Sequence, residues 1–354
     1  MASVIDFSSL TLNPEEARES SQAIFERVYE KGDLGEKHLV ITGIERKEQI
    51  PFYGKMGLVG KKSSGCTPNA VSGPGTSEKY WDPELVDFRL SHCQGDVPQL
   101  LKMWKRSRKA LGTWEDVDNE MVAFIEDRGI DANMEAIYRI TSFGDEAAAN
   151  VTSGGQITDG VDTGYFSMLD GLWKQIFAGV ASSDVVRYEI TENGQATKSA
   201  QLTLGDTVAL DAMRYLHENI DSRAHDSALL KYQITRSLWN NWWALLEDKS
   251  LANAILNDVE SAGSGKMNYR GIPIVVRNDW DRNIKAYQDL SSTYYLPHRA
   301  ILTTVDNIPI GTSDEESMKE IDSFYDKKDK MWYFDGATML DCKMLEEYMI
   351  AAAY

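Results

Sequence analysis

The sequence predicts an α+β fold with enough apolar residues for one large or two smaller structural units. Segments with helical spacing and segments with strand character alternate irregularly, without the repeated β-α-β order of an α/β protein. The 354 residues are 42% apolar, 10% aromatic and 26% charged, which is ordinary for a globular chain that buries a sizeable core. No apolar stretch approaches the roughly 18 residues of a membrane span, so we expect no membrane segment.

The expected compartment is reducing. The first ten residues, MASVIDFSSL, lack the basic and apolar regions of a signal peptide. Cys66, Cys93 and Cys342 are scattered and form no CxxC pair, so we expect neither a disulfide framework nor a zinc site built on cysteine.

The first predicted elements are a helix and a strand. Asn13 is suited to cap a helix, with Pro14 at its first position and Glu16 completing a capping-box pattern. The run HLVITGI, His38–Ile44, has the β-branched and apolar character of a strand.

The segment Ile50–Gly95 is rich in Gly, Ser and Pro yet keeps several large apolar side chains. It is too long for an ordinary connection and has no helical periodicity, so we interpret it as a long two-stranded excursion with a Gly/Pro-rich tip. A lone hairpin is marginal in water, so we expect it to lie against another surface, with a neighbouring subunit as the favoured one. The subunit-interface candidates are Phe52, Tyr53, Lys55, Lys61, Lys62, Tyr80 and Trp81.

The centre of the chain is predicted to be helical and then to pass through a loop. A helix over Val97–Ala110 is expected, followed by a second one that begins at Thr113. Ile137 and Ile140 continue the helical pattern. The small-residue run Asn150–Gly164 reads as a loop at a domain boundary.

The remainder mixes helices and strands. The spacing predicts helices over Leu169–Ala178, from Thr207 onward and over Ser237–Leu246. It predicts strands over Val185–Ile190, Leu229–Thr235, Arg270–Val276 and Arg299–Thr304, and a C-terminal extended pair with a turn near Gly336.

Charge divides the chain into two unequal parts. The whole chain carries 37 basic and 55 acidic side chains, a net charge of −18, which argues against simple electrostatic binding of nucleic acid. Residues 1–112 hold 16 basic and 15 acidic side chains, net +1, which leaves 21 basic and 40 acidic for residues 113–354, net −19.

Motifs for catalysis or cofactor binding are incomplete. SGSGKM has Met267 where a phosphate-binding loop needs Ser or Thr, and HENID ends in Asp221 where a zinc-binding helix needs His. DWDRN starts like a calcium loop but has Ile284 in place of its glycine. No GxSxG occurs, so the sequence predicts no enzyme, no metal site and no cofactor.

Two clusters have alternative explanations. Trp239, Trp242 and Trp243 share one helical face, where core packing is favoured over a ligand-stacking platform. The basic run Lys102–Lys109 could contact phosphates or an acidic protein partner, or simply form a solvated helix face.

The order of these elements resembles the major capsid proteins of tailed bacteriophages, the Hong Kong 97-type fold. The resemblance covers nearly the whole chain and is carried by the excursion at Ile50–Gly95, by KYQITRSLWNNWWALLEDK with NYRGIPIVVRNDWD, and by PHRAILTTVDNIPIGT. EKYWDP and CQGD further suggest phages that infect Bacteroidota. The resemblance implies an N-terminal arm over 1–43, an E-loop hairpin over 44–95, a peripheral domain with a spine helix over 96–160, an axial domain over 161–313, and returning peripheral strands with the C-terminus over 314–354.

The function that this resemblance implies is structural. Such a chain self-assembles into hexamers and pentamers of an icosahedral shell that encloses double-stranded DNA without sequence-specific binding. Portal, scaffolding and decoration proteins are the expected partners, the virion is the expected location, and assembly takes place in the host cytoplasm. The alternatives are an encapsulin-like compartment, a carbohydrate-active enzyme with the Trp-rich platform, and a non-catalytic binding module.

Overall fold

A computed structural model describes residues 37–50, 79–93, 135–248, 268–313, 322–326, 328 and 331–354. Several predicted features lie outside these residues. They are the helix that begins at Asn13, the tip of the excursion, the helix over Val97–Ala110 with its basic run, and the start of the helix at Thr113.

The described residues form strands and helices in irregular order, as the sequence predicts. The strands are β1 Val40–Ile41, β2 Glu48–Gln49, β3 Tyr80–Trp81, β4 Glu84–Cys93, β5 Val186–Tyr188, β6 Leu230–Ile234, β7 Asn268–Tyr269, β8 Ile272–Val276, β9 Ala300–Thr304, β10 Ile310–Thr312, β11 Asp322–Asp326, β12 Met331–Cys342 and β13 Ile350–Ala353. The helices are α1 over residues 135–143, α2 Leu172–Ala181, α3 Lys198–Leu202, α4 Val208–Asn219, α5 Arg236–Asp248 and α6 Asn278–Tyr287. Short 3₁₀ turns lie at Val151–Ser153, Thr163–Tyr165, Thr191–Gly194, Ser222–Asp226, Val305–Asn307 and Glu347–Met349.

A six-stranded mixed sheet, ordered β5-β13-β9-β6-β8-β7, is the centre of the larger unit. Its middle strands are buried on both faces, which explains why their sequences read as continuous apolar runs rather than alternating patterns. The two side-chain directions of β13 enter different cores: Ile350 and Ala352 belong to one cluster, and Ala351 and Ala353 to the other. The sheet therefore separates two hydrophobic cores.

Each core is completed by different helices. On one face, α4 and α5 pack through Met213, Leu216 and Trp242. On the other face, α1, α2 and α6 contribute Ile140, Trp173 and other apolar side chains. The predicted helical face that includes Met213 and Leu216 is confirmed, although Leu210 on the same helix is only half-buried.

A five-stranded sheet forms the second unit, with β4 paired to β12 beside the path β1-β10-β12-β11. β4 runs antiparallel to β12 along its full length of ten residues, from the pair Glu84–Leu340 to the pair Cys93–Met331. The excursion is therefore not simply a hairpin paired with itself. Its base is a two-stranded pair of β2 and β3, but its outgoing strand is stabilised by β12 of the same chain.

The predicted turn near Gly336 is wrong. Gly336 lies inside β12, opposite Phe88 of β4, and the chain instead reverses between Asp326 and Met331. Glycine indicates a turn when only local sequence is considered, but the long β4–β12 ladder keeps this glycine extended.

Helix α6 was not predicted from the sequence. Two of its four buried positions are apolar, Trp280 and Ile284, while Asp279 and Asn283 are buried as well. Polar residues on the inward face hide the apolar periodicity that normally reveals a helix. The segment DWDRN is therefore a helical turn, in agreement with the rejection of a calcium loop.

Candidate assembly surfaces

The predicted interface aromatics, Tyr80 and Trp81, point to opposite sides of β3. Tyr80 is 41% exposed, whereas Trp81 is 2% exposed and packs with Ile44 and Ile50. A Cβ atom on Gly311 of β10 would lie 2.9 Å from the Trp81 ring, so the indole lies directly on that backbone. The Trp81 side chain therefore belongs to the core of its own chain, because strand geometry turns alternate side chains inward.

The other interface candidates, Phe52, Tyr53, Lys55, Lys61 and Lys62, lie outside the described residues. Their role stays a prediction, as do the bounds of the five predicted domains.

β4 presents a sheet edge. Among the strands that the structure describes, β12 is its one partner, so the opposite N–H and C=O groups of β4 have no strand beside them. Leu85 on this strand is 60% exposed, while its neighbour Val86 is buried. An edge of this length with an exposed leucine is a template for pairing with another chain. Together, Tyr80, Leu85 and the outer edge of β4 are named here the β4 surface.

The Trp-rich helix α5 is mainly core. Trp242 is 3% exposed and belongs to the cluster below the six-stranded sheet, which confirms the prediction of core packing for this residue. Trp239 and Trp243 are half-buried and lie nearly parallel, with centroids 6.4 Å apart. The Trp243 indole N–H donates to Glu247 one helical turn later.

Two arginines are buried at one end of the strands of the six-stranded sheet. Arg277 follows β8, and Arg299 precedes β9. Ile234, the last residue of β6, pairs with the first residue of β9 and with the last residue of β8. Both arginines therefore lie at the same end of these strands. Neither was recognised from the sequence as buried.

Arg277 is held by a closed polar network, named here the Arg277 joint. Its guanidinium donates to both oxygens of Asp279 at 2.8–3.1 Å and to Ser142 of α1 at 3.0 Å. It also donates to Gln233 of β6 and, at 3.1 Å, to Nε2 of His38. His38 Nδ1 lies 3.1 Å from the carbonyl oxygen of Ile308 and therefore carries a proton, whereas Nε2 accepts from Arg277. A ring with one protonated nitrogen is neutral.

The joint shifts the proton affinities of its members. Burial and the nearby charge of Arg277 lower the pKa of His38 to about 3. Burial alone would raise the pKa of Asp279, but the charge and hydrogen bonds of Arg277 outweigh it, so the pKa of Asp279 is lowered. Lys37 adds a further cation 3.8 Å from Asp279. The joint thus ties the segment before β1 to α1, β6 and α6.

Arg299 has no carboxylate partner in the part of the chain that the structure describes and is held differently, in what we name the Arg299 cage. Its Nε donates to the Leu296 carbonyl, and its Nη2 donates to Gln288 and to the Tyr295 carbonyl, at 2.8–2.9 Å. Four aromatic rings lie 5.0–5.8 Å from its Cζ atom: Phe143, Trp173, Phe177 and Tyr295. Burial lowers the pKa of Arg299 to about 9.

Metal ligands and membrane spans were sought among the described residues. Within them, no group of three or more His, Cys, Asp and Glu side chains could hold a metal ion. No helix of the described ranges is long and apolar enough to span a membrane.

Comparison with known proteins identifies the fold. The chain matches no protein-family model and no curated protein sequence. It resembles a chain in the structure of the satellite phage P4 procapsid including size determination (Sid) protein, with a TM-score of 0.50 and 12% identity over 94% of this chain and 98% of that one. It also resembles a chain in the capsid of the cyanophage P-SCSP1u, with a TM-score of 0.47 and 12% identity over 92% and 87% of the two chains.

The argument for the fold rests on the first of these two likenesses. Nearly complete coverage of both chains means that the whole architecture is shared, not one sheet or one helical unit. This chain therefore shares the fold of that procapsid chain, and the predicted α+β fold of the Hong Kong 97 type is confirmed.

Proposed function

We propose that this chain is the major capsid protein of a tailed bacteriophage, a structural subunit rather than an enzyme. The observation that supports it most is the fold shared with the P4 procapsid chain across 94% of this chain and 98% of that one. In this proposal the chain assembles into pentamers and hexamers of an icosahedral shell and is a component of the virion. Assembly takes place in the host cytoplasm, with portal, scaffolding and decoration proteins as further partners.

The net charge of −18 fits a shell that encloses double-stranded DNA without binding it. Like charges on the inner wall and the phosphate backbone repel each other, so packaged DNA stays mobile during filling. The basic side chains of the first third, among them Lys55, Lys61 and Lys62, then lie on the acidic body of the next subunit.

The β4 surface is the part of the described chain that fits a subunit contact best. It combines a strand edge that no other described strand covers with the exposed side chains of Tyr80 and Leu85. The neighbouring segment 51–78 carries Phe52, Tyr53 and the three lysines, so the proposed contact continues along the excursion.

Electron microscopy of the purified chain tests the proposal. Negative-stain images are expected to show closed particles tens of nanometres across, each made of many copies of a 39.8 kDa chain. A folded chain that remains a monomer under all assembly conditions would overturn the proposal.

A pair of matched variants tests the β4 surface. Leu85→Glu should reduce the yield of particles, because it places a charge in an apolar subunit contact. Leu202→Glu is the control, since Leu202 is also about half exposed, at 48%, but lies on α3 in the other unit. Equal particle yields from both variants would remove the β4 surface from the contact.

A further inference from the structure

A cleft of about 470 Å³ opens beside the Arg299 cage. Side chains of α2 and of the segment after α1 form one wall, and residues next to β9 and β13 form the other. Its lining mixes polar and apolar groups and includes five aromatic residues next to Arg299: Phe143, Trp173, Phe177, Tyr295 and Tyr354. The volume is in the range of small-ligand pockets.

Two residues that line this cleft each have one hydrogen-bond donor without a partner among the described residues. These donors are Nη1 of Arg299 and Nε1 of Trp173, both buried. The two side chains are neighbours, since the Trp173 ring lies 5.0 Å from the Arg299 Cζ atom. Buried donors are usually satisfied, and a fully buried arginine usually has a carboxylate partner, so this pair is an exception that needs an explanation.

We propose that the cleft is a binding site for a carboxylate group attached to an apolar body. One carboxylate offers two oxygens, which match the two unpartnered N–H groups of Arg299 and Trp173. The aromatic walls would bury the apolar part. The site goes beyond the shell function and does not depend on it.

The charges at the cleft select a monocarboxylate over a polyanion. Lys174 at the rim is already paired with Asp145 at 2.8 Å, so it adds no free positive charge. The Lys174–Asp145 pair is neutral overall, so a second negative charge on a ligand would find no counterion in it. A neutral ligand would leave the charge of Arg299 without a counterion, so it should bind more weakly than a carboxylate of the same shape.

Titration calorimetry of the purified chain with benzoate tests the site, with benzamide as the neutral control of equal shape. We expect saturable binding of benzoate with a dissociation constant on the order of millimolar, as the small size of the probe allows, and weaker binding of benzamide. No saturable binding of benzoate, or equal binding of both probes, would overturn the proposal.

Variants place the binding in this cleft. Trp173→Phe keeps an aromatic ring but removes one donor, so benzoate should bind about tenfold more weakly. Ala178 is exposed on α2 and lines the cleft, so Ala178→Phe should fill the mouth of the cleft and abolish binding. Ala181 is exposed on the same helix but does not line the cleft, so Ala181→Phe should leave binding unchanged. Unchanged binding to a folded Ala178→Phe chain would contradict the assignment.

The same two variants distinguish the source of the carboxylate. If an Asp or Glu side chain of a second copy enters the cleft, Ala178→Phe and saturating benzoate should both slow particle formation, and Ala181→Phe should not. If a free organic acid is the ligand, particle formation should be equal in both variants, and benzoate should bind to assembled particles as well. Both results support a carboxylate site. The benzoate titration can be interpreted whether or not the chain forms particles.

Discussion

The two buried arginines lie at the same end of the strands in one sheet, yet different groups stabilise them. Arg277 has a bidentate carboxylate, a neutral histidine, an amide and a hydroxyl around it, all from different segments of the chain. Arg299 has carbonyl oxygens, one amide and four aromatic rings, and one of its nitrogens has no partner among the described residues. Arg277 forms a closed polar network within the chain, whereas Arg299 lies beside a cleft.

The difference shows what each arrangement can do. A buried cation with a full set of hydrogen bonds fixes the relative position of the segments that supply them, because removing any partner leaves a desolvated charge. Aromatic rings stabilise a buried cation without fixing the direction of its N–H groups. Such a cation can still bind an anion. The Arg277 joint therefore holds the subunit together, while the Arg299 cage is suited to binding.

The largest effect is expected from Arg277→Met. The variant leaves Asp279 buried with its main partner gone, so the free energy of unfolding should fall by about 3–5 kcal/mol. Urea denaturation followed by circular dichroism measures it. Arg277→Met combined with Asp279→Leu removes both charges and should recover part of the loss; no recovery would show that the ion pair is not what the joint depends on.

Acid should weaken the joint through His38. The unfolded chain takes up a proton on this ring near pH 6.5, but burial and the charges of Arg277 and Lys37 keep the folded pKa at about 3, against the opposite effect of Asp279. Stability from this group is therefore present above pH 6.5 and is lost progressively as the pH falls, by about 3 kcal/mol at pH 4. In His38→Asn that part of the pH dependence should disappear from unfolding curves recorded between pH 7 and pH 4. Parallel curves for the two proteins would contradict a neutral buried histidine.

Arg299→Met should cost less than Arg277→Met. It removes the cation–π contacts and leaves neutral acceptors unpaired, but it strands no charge, so we expect a loss of about 2 kcal/mol. The comparison between the two Met variants in the same denaturation assay is direct. A loss as large as that of Arg277→Met would mean that the cage is as much a structural joint as its counterpart.

The smallest effect is expected from Ser142→Ala. Its hydroxyl oxygen accepts from Arg277 at 3.0 Å and from the Trp280 indole at 3.1 Å. Removal should lower the free energy of unfolding by about 1–2 kcal/mol, since two buried donors lose one acceptor. Thermal unfolding detects a change of this size, and an unchanged midpoint would show that water replaces the hydroxyl in the joint.

The sequence is informative where burial and residue type agree. β8 and β9 were predicted correctly because apolar and β-branched residues follow one another in both strands, and β9 is buried along its whole length. The arginines were missed because basic side chains are expected on the surface, and the partners of Arg277 come from distant parts of the chain. One local signal existed: Arg277 and Asp279 stand two positions apart where β8 passes into α6.

The candidate interface was predictable only in part. Composition alone predicts an unusual segment over Ile50–Gly95, but which side of β3 is buried depends on the residues that pack against it: Trp81 is buried and Tyr80 is exposed. The β4 edge depends on pairing with a strand about 250 residues later, and no local pattern announces such a pairing.

A cryo-EM reconstruction of the purified assembly tests the central claim most directly. The account predicts a closed shell built from fivefold and sixfold rings of this one chain, with Tyr80 and the outer edge of β4 at contacts between subunits and Trp81 and Arg277 inside each subunit. A small discrete oligomer, or a shell in which the β4 surface faces solvent on every copy, would contradict it.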